Sequence, residues 1–226
     1  MKIWLQVLSF LTLLTPVFTN GQEFKYTKKQ ATSQTVLFLG NSLTAGYGLD
    51  ESFAFPNLIQ QKIDSLGWEF EVINAGLSGE TSAGGLRRID WLLKRRIDIL
   101  VVELGGNDAL RGIDLSVTKQ NLQALISKAK KKYPRVRIVI AGMQVPANLG
   151  TPYTEAFRRI YPDLAEVNEA YLIPFLLANV GGIANLNQPD RIHPNAQGHR
   201  IVAETVWRVL RPILEEMHEK GTKTSK

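Results

Sequence analysis

The sequence contains no cysteine among its 226 residues, and it contains three histidines. The absence of cysteine excludes a disulfide framework, a thiolate metal site and a lipid anchor on an N-terminal cysteine. The scarcity of histidine leaves few candidates for any chemistry that needs an imidazole as a base. We therefore expect a protein that is free of disulfides.

The chain also lacks an apolar segment long enough to cross a bilayer, which needs about 20 residues. Its most apolar segment, residues 3–14, follows Lys2 and precedes Pro16 and several small or polar residues. This layout is typical of a secretory signal peptide. We predict a signal peptide over residues 1–21, a polar linker over residues 22–34, and no stable membrane insertion after cleavage. An uncleaved anchor is the alternative.

Positive charge is in modest excess, with a formal net charge of +6. Lysines cluster in residues 128–132 and in residues 219–226. We predict that the second cluster is a basic tail. A basic run can bind nucleic acid or anionic lipid. The first cluster, however, ends a predicted helix, where cations complement the helix dipole. We therefore expect solvated lysines and no nucleic-acid partner.

Length and composition favour one globular domain, which we place at residues 35–218. A single domain typically has about 150 residues. The hydrophobic share of 44% and the charged share of 21% are ordinary for a folded protein. These values exclude a disordered or fibrous chain.

Short apolar runs, rich in valine and isoleucine, alternate with segments of helical spacing. Such runs indicate strands that are buried on both faces of a parallel sheet. Because strand and helix alternate, we predict an α/β fold, a three-layer α/β/α sandwich with a flavodoxin-like parallel sheet. The predicted strands are residues 35–39, 70–75, 97–104 and 136–143.

Polar and small residues follow the first three predicted strands, among them Ser42, Gly79 and Asn107. Ligands of an open parallel sheet bind at the carboxyl ends of the strands, near the point where the strand order reverses. If the first strand lies between the second and the third, Ser42 is flanked by Gly79 and Asn107. This arrangement resembles an oxyanion hole.

A serine hydroxyl needs a base to attack a carbonyl at neutral pH, and the base needs an orienting carboxylate. Among the histidines, only His193 sits in a loop with an acid nearby, which is Asp190. That spacing lets Asp190 bond one ring nitrogen and leaves the other to take the proton of Ser42. His199 and His218 lie on the predicted last helix, where we expect solvent exposure.

Each of these residues also has a purely structural interpretation. Ser42 fits the N-cap of the following helix, and Asn107 fits a cap after the third strand. Asp190 and His193 fit an ordinary turn at the surface. The catalytic interpretation requires that these residues meet in the folded chain.

Four ordered segments carry a family resemblance. They are Gly-Asn-Ser-Leu-Thr-Ala-Gly-Tyr-Gly at 40–48, Ser-Gly-Glu-Thr-Ser at 78–82, Gly-Gly-Asn-Asp at 105–108 and Asp-Arg-Ile-His-Pro at 190–194. In this order they resemble the motif blocks of the SGNH hydrolases, also called the GDSL esterase/lipase family. The resemblance covers nearly all of the chain after Thr35.

The resemblance implies a role for each candidate residue. Ser42 would be the nucleophile, and Asp190 and His193 would complete the triad. The backbone amides of Ser42 and Gly79, with the side chain of Asn107, would hold the oxyanion. The implied reaction uses no metal and no organic cofactor.

Finer features, in residues 102–112 and 146–150 and in the aromatics that follow, resemble the bacterial arylesterase, thioesterase and lysophospholipase branch of the family. This implies a periplasmic enzyme with a small ester or thioester substrate, of which lysophospholipid is one, and it leaves the oligomeric state open. It also implies an acyl pocket, although core packing explains the aromatics equally well. The substrate-binding candidates are Leu110, Arg111, Pro146, Tyr153, Phe157 and Ile192.

The chain departs from the family pattern at Asn41, where the nucleophile block usually has Asp. Asn has almost the same shape, so we expect Asn41→Asp to cause little change in activity at neutral pH. A nucleotide-binding domain is disfavoured because the first loop lacks both the G-x-G-x-x-G spacing and the P-loop lysine. A carbohydrate acetylesterase and a catalytically inactive binding module on the same fold stay open.

Overall fold

The computed structural model describes residues 33–224, which form a five-stranded parallel sheet covered by helices. The predicted signal peptide and most of the predicted linker lie outside the described residues. The strands are β1 (Gln34–Gly40), β2 (Phe70–Gly76), β3 (Ile99–Glu103), β4 (Arg137–Ala141) and β5 (Tyr171–Ile173). They pair in the order β2-β1-β3-β4-β5.

Helices cover both faces of this sheet. α2 packs against α7 on one face, while α3, α5 and α6 pack side by side on the other. The predicted three-layer α/β/α sandwich with a flavodoxin-like strand order is therefore confirmed. The helices are α1 (Ser42–Ala45), α2 (Phe55–Ser65), α3 (Ser82–Leu92), α4 (Gly106–Leu110), α5 (Leu115–Lys132), α6 (Thr151–Val167) and α7 (Ala196–Thr224).

The central strand β1 is buried on both faces, as its apolar sequence predicts. Val36, Leu37 and Leu39 are 0% exposed, and Phe38 packs edge-on against Phe55 of α2 with ring centroids 5.6 Å apart. Successive side chains of a strand point to opposite faces. A continuous apolar run is therefore stable only where helices cover both sides.

The fifth strand has no counterpart among the predicted strands. β5 contains three residues and lies at the edge of the sheet, with Tyr171 exposed and Ile173 buried. Such a short run carries no periodic signal that distinguishes it from a loop. Its pairing with β4 depends on tertiary contacts.

Helix α5 has recognisable sequence signals at both ends and along its buried face. It begins after Asp114, whose side chain accepts a hydrogen bond from the amide of Ser116 at 2.7 Å. It ends in the lysine cluster, where positive charge is favourable. The face that it buries carries an apolar stripe of Leu122, Leu125, Ile126 and Ala129 at helical spacing.

The expectation that His199 is exposed is wrong. His199 is 1% exposed, and its Nδ1 accepts a hydrogen bond from the amide of Phe55 at 3.2 Å. Burial lowers the pKa of His199 to about 4, so the ring is neutral and holds the start of α2. His218 is partly buried and stacks on Trp68, with ring centroids 5.7 Å apart.

The last helix is longer than the sequence predicts. α7 continues to Thr224, so it includes most of the segment that we expected to be a basic tail. Lys220 and Glu216, one turn apart, form an ion pair on this helix at 2.5 Å. Within residues 33–224, no helix is both long and apolar enough to cross a membrane.

Glycines at the carboxyl ends of β1 and β2 let α1 lie across the sheet. A Cβ on Gly76 would stand 2.2 Å from the backbone nitrogen of Ala45, and one on Gly40 would stand 2.0 Å from the hydroxyl of Thr44. Real Cβ atoms do not approach other heavy atoms so closely. The position of α1, and of the residue that begins it, therefore depends on these two glycines.

We expect Gly76→Ala to lower both the stability and the activity of the protein. The added methyl group collides with backbone, which cannot rotate away, so the free energy of unfolding should fall by roughly 1–3 kcal/mol. Urea unfolding of the purified variant measures this change. Gly181→Ala is the matched control, because its added Cβ has neighbours at 3.5 Å, an ordinary contact distance. Equal stability of the two variants would contradict the packing argument.

Candidate active site

Ser42 lies on the sharp turn that joins β1 to α1. The turn is capped by Asn41, whose side-chain oxygen accepts a hydrogen bond from the amide of Leu43 at 2.9 Å. Gly46 ends the helix after four residues, with a left-handed φ of 73°. Ser42 is thus the first residue of α1, and the N-cap role that the sequence allowed for it belongs to Asn41.

The structure brings Ser42, His193 and Asp190 together. The hydroxyl oxygen of Ser42 lies 2.8 Å from Nε2 of His193, and Nδ1 of His193 lies 2.7 Å from Oδ2 of Asp190. A carboxylate only accepts hydrogen bonds, so Nδ1 carries the proton and donates it. Nε2 is then the acceptor for the hydroxyl of Ser42.

Asp190 is held in place by backbone groups as well as by the histidine. Its Oδ1 accepts hydrogen bonds from the amides of Ile192 at 2.9 Å and of His193 at 3.0 Å. The pKa of Asp190 is lowered to about 2, mainly by the hydrogen bond from the ring of His193 and then by these amides. Asp190 is therefore ionised over the whole ordinary pH range.

Tyr47 supports the imidazole from the side of the nucleophile loop. Its ring lies 4.7 Å from that of His193, between centroids. The side chain of Gln188 donates a hydrogen bond to the carbonyl of Tyr47 at 2.6 Å, and the amide of Gln188 donates one to the carbonyl of His193 at 2.8 Å. Sequence reasoning did not single out Tyr47, although it lies within the nucleophile block.

Gly79 and Asn107 follow the strands on either side of β1, as the sequence predicts. Gly79 has a positive φ of 79°, and its carbonyl accepts a hydrogen bond from the guanidinium of Arg111 at 2.9 Å. Asn107 lies in α4, and its side-chain amide donates a hydrogen bond to the carbonyl of Glu80 at 3.0 Å. The loops after β2 and β3 are thus bonded directly to each other.

Asp108 locks these two loops together from inside the protein. Its carboxylate is fully buried and accepts hydrogen bonds from the amide of Ser82 at 2.8 Å and from the hydroxyl of the same residue. The hydroxyl of Thr118 in α5 donates a third hydrogen bond at 3.4 Å. Asp108 therefore ties α4, which carries Asn107, to the start of α3.

A second buried acid, Glu103, lies beneath the nucleophile turn. Glu103 is the last residue of β3 and is 1% exposed. It accepts hydrogen bonds from the amide of Asn41, from its side chain and from the hydroxyl of Thr44. Sequence reasoning missed this residue, although a carboxylate at the end of an apolar run was a signal that could have identified it.

Most substrate-binding candidates lie at the surface of the protein. Leu110 and Ile192 are 57% and 55% exposed, and Arg111 and Pro146 are exposed as well. Tyr153 is half-buried, with its hydroxyl 3.4 Å from the carbonyl of Ala109. These side chains are accessible to a ligand at the carboxyl edge of the sheet.

Phe157 differs from the other substrate-binding candidates. It is 0% exposed and packs edge-on against Tyr161, with ring centroids 5.4 Å apart. Core packing therefore explains Phe157, because a residue without accessible surface cannot contact a ligand. Within residues 33–224, no cluster of histidine and acidic side chains is arranged to hold a metal ion.

We expect Asp190→Asn to reverse the tautomer of His193 while the fold is retained. The side-chain oxygen of the Asn can keep the hydrogen bonds from the two backbone amides, which leaves its NH₂ group facing Nδ1. Because this group is a donor, Nδ1 must become the acceptor, and the ring proton should move to Nε2. Nitrogen-15 NMR of histidine-labelled protein measures the tautomer directly. His199 is the internal reference, because its Nδ1 accepts an amide hydrogen bond in both proteins. Retention of the proton on Nδ1 in the variant would contradict the assignment.

The sequence of the chain matches the GDSL-like Lipase/Acylhydrolase family over residues 38–201. Esterase TesA of Pseudomonas aeruginosa is 40% identical over 187 residues, which cover 82% of this chain and 92% of that protein. Thioesterase 1/protease 1/lysophospholipase L1 of Escherichia coli strain K12 is 38% identical over 189 residues, with coverages of 83% and 88%.

Solved structures show the same relation. The psychrotrophic esterase EstA from Pseudoalteromonas sp., solved in a form inhibited by monoethylphosphonate, is 32% identical and superposes with a TM-score of 0.76. The match covers 81% of this chain and 100% of that chain. Every residue of the candidate site, from Asn41 to His193, falls within the segment that matches the family. The chain therefore belongs to the GDSL-like lipase/acylhydrolase family.

Proposed function

We propose that the protein is a serine hydrolase that cleaves carboxylic esters and thioesters through an acyl-enzyme on Ser42. One observation carries the proposal: Ser42, His193 and Asp190 form a continuous chain of hydrogen bonds with lengths of 2.8 and 2.7 Å. Membership of a family of ester hydrolases supports it. The names of the relatives, an esterase and a thioesterase/lysophospholipase, point to the same substrate class.

In the proposed reaction, Nε2 of His193 takes the proton of Ser42 as the hydroxyl oxygen attacks the acyl carbonyl. The bond to the alcohol or thiol then breaks, and His193 returns the proton to that leaving group. Water attacks the acyl-enzyme in a second step. The same imidazole takes a proton from the water and returns it to Ser42 as the bond between the acyl group and Ser42 breaks and the acid is released. Asp190 stabilises the imidazolium in both steps, because its carboxylate is ionised and bonded to Nδ1.

The negative oxygen of each tetrahedral intermediate needs donors that are already in place. The amides of Ser42 and Gly79 and the side chain of Asn107 are the proposed donors. Arg111 holds the Gly79 loop, and Asp108 holds the helix that carries Asn107. Prepositioned donors of this kind are typically worth about 100- to 1,000-fold in turnover each.

Exposed apolar side chains near the site favour an acyl group as the substrate. Tyr47, Leu110 and Ile192 are each more than half exposed. Apolar surface at the mouth of a site can cover an acyl chain and remove it from water. We propose long-chain acyl esters, lysophospholipids among them, over the acetyl groups of a carbohydrate esterase.

The test compares acetyl, octanoyl and palmitoyl esters and thioesters, with Ser42→Ala as the blank. We expect Ser42→Ala to lose at least about 10⁴-fold in kcat and to lose covalent labelling by a fluorophosphonate. Wild-type protein should be labelled once, on Ser42, and should hydrolyse octanoyl esters faster than acetyl esters. Hydrolysis retained by Ser42→Ala would reject the proposal. A strong acetyl preference would favour the carbohydrate esterase, and an unlabelled wild type would favour an inactive binding module.

We infer that residues 1–21 direct export to the periplasm and are then removed. A positive residue followed by a short apolar segment and small residues supports this. N-terminal sequencing of the protein from a periplasmic fraction should begin near Gln22. A protein that still begins at Met1 would contradict cleavage.

A further inference from the structure

The carboxylate of Glu103 is surrounded by hydrogen-bond donors from the nucleophile turn. Its Oε2 accepts bonds from the amide of Asn41 at 3.0 Å and from the hydroxyl of Thr44 at 2.8 Å. Its Oε1 accepts a bond from the side-chain NH₂ group of Asn41 at 2.7 Å. These three donors match an ionised carboxylate, which only accepts hydrogen bonds.

A protonated carboxyl would fit this site less well. The added proton needs an acceptor, but both groups that Asn41 presents to Glu103 are donors. The side-chain oxygen of Asn41 already accepts the amide of Leu43 at 2.9 Å. Only the hydroxyl of Thr44 could turn to accept the proton, and it would then cease to donate. Protonation of Glu103 therefore disturbs the bonds that fix the turn.

Asn41 connects Glu103 to the nucleophile through hydrogen bonds and close contacts of its side chain. One end of its amide group bonds Glu103, and the other end caps α1. The same side-chain oxygen lies 3.5 Å from the hydroxyl of Ser42. Any rotation of Asn41 therefore changes both the first turn of α1 and the surroundings of the Ser42 hydroxyl.

We propose that Glu103, in its ionised form, is a positioning residue for Ser42 that acts through Asn41, so that its protonation reduces the reactivity of the nucleophile. This inference rests on the proposed hydrolase function. It gives a role to a buried acid that the triad mechanism does not use. It also explains how an Asn is accommodated next to the nucleophile.

The surroundings of Glu103 place its ionisation in the ordinary pH range. Burial raises the pKa of Glu103 to about 7, against the opposing effect of its hydrogen bonds. Among the titratable groups near this region are Asp108 of α4 and Tyr161 of α6. The pKa of Tyr161 is raised well above its usual value, first by burial and then by the charges of Glu103 and Asp108, so this phenol stays neutral.

Stability and activity should therefore respond to pH in opposite directions. The pKa of Glu103 is raised from 4.5 to about 7 in the folded protein, so the folded state binds this proton more tightly than the unfolded chain does. Its contribution to stability is fully present below pH 4.5 and is lost as the pH rises through 7. Activity should rise over the same interval, because ionisation restores the hydrogen bonds of the turn.

The first test is Glu103→Gln, which keeps the size of the side chain and removes its charge. If the side-chain oxygen of the Gln keeps the hydrogen bonds from the amide of Asn41 and the hydroxyl of Thr44, the NH₂ group of the Gln faces the NH₂ group of Asn41. Two buried donors then oppose each other, and we expect kcat at pH 8 to fall about 10- to 100-fold with little change in KM. In the wild type, the acid limb of log kcat/KM against pH should be steeper than in the variant, because the ionisation of Glu103 contributes to it only in the wild type.

The second test is rescue by the double variant Asn41→Asp/Glu103→Gln. In this double variant the carboxylate at position 41 accepts a hydrogen bond from the NH₂ group at position 103. The pair is complementary again, with the donor and the acceptor exchanged. We expect kcat at pH 8 to return to within about threefold of wild type, because no buried donor is left unpaired. A residue that only fills space would not be rescued in this way.

A further variant and one control complete the set. Asn41→Asp alone places two carboxylates together, and they can share one proton only until the pH rises, so activity should fall at alkaline pH. Glu204→Gln removes an exposed carboxylate that pairs with Lys62 in α2. It should leave both kcat and the slope of the acid limb unchanged.

Each outcome decides the proposal. Unchanged kcat in Glu103→Gln, or a double variant no better than the single one, would overturn it. If Glu103→Gln does not fold, carbon-13 NMR titration of the Glu103 carboxyl in the wild type takes its place, and activity that does not rise over the pH range in which this carboxyl ionises would overturn the proposal. Ser42→Ala separates the two hypotheses. Activity without Ser42 rejects the hydrolase mechanism itself, whereas an inactive Ser42→Ala beside a normal Glu103→Gln rejects only the role of Glu103.

Discussion

The position of β1 between β2 and β3 is the constraint on which the candidate site depends. Parallel pairing sets Gly40 opposite Gly76 on one side and opposite Glu103 on the other. The three strands therefore end level with one another, and the loops that follow them share one edge of the sheet. Ser42, two residues beyond Gly40, can meet groups from both neighbouring loops because of this register.

The site is built from polar groups at the end of an apolar sheet. Asp108 and Glu103 are almost completely buried, yet each has several hydrogen-bond donors around it. A buried carboxylate without such partners would cost several kcal/mol. Each acid thus selects the one loop arrangement that supplies its donors. Asp108 fixes the loops around Asn107, and Glu103 fixes the turn that carries Ser42.

Sequence reasoning predicted the parts of the fold that have a continuous signal. The four apolar runs, the amphipathic spacing of the helices and the loops at the carboxyl ends of the strands carry such a signal. The meeting of Ser42 with His193 was expected instead from the need of a serine for a base and from the family resemblance. β5 was missed because three residues carry no periodicity. His199 was assigned to the surface because the sequence does not show that α7 crosses the start of α2. Phe157 could not be distinguished from a pocket residue, because helical spacing gives the same pattern for both.

The buried acids were hardest to recognise, because their partners come from distant parts of the chain. Glu103 is 62 residues from Asn41, and nothing in the local sequence of either residue indicates the pair. Once they are paired, the unusual Asn has a physical explanation. A second carboxylate at position 41 would need a proton between the two acids, whereas the amide supplies that donor itself. The exchange at position 41 therefore preserves the hydrogen bond and removes the need for a shared proton, which makes Glu103 alone the titrating group beneath the nucleophile.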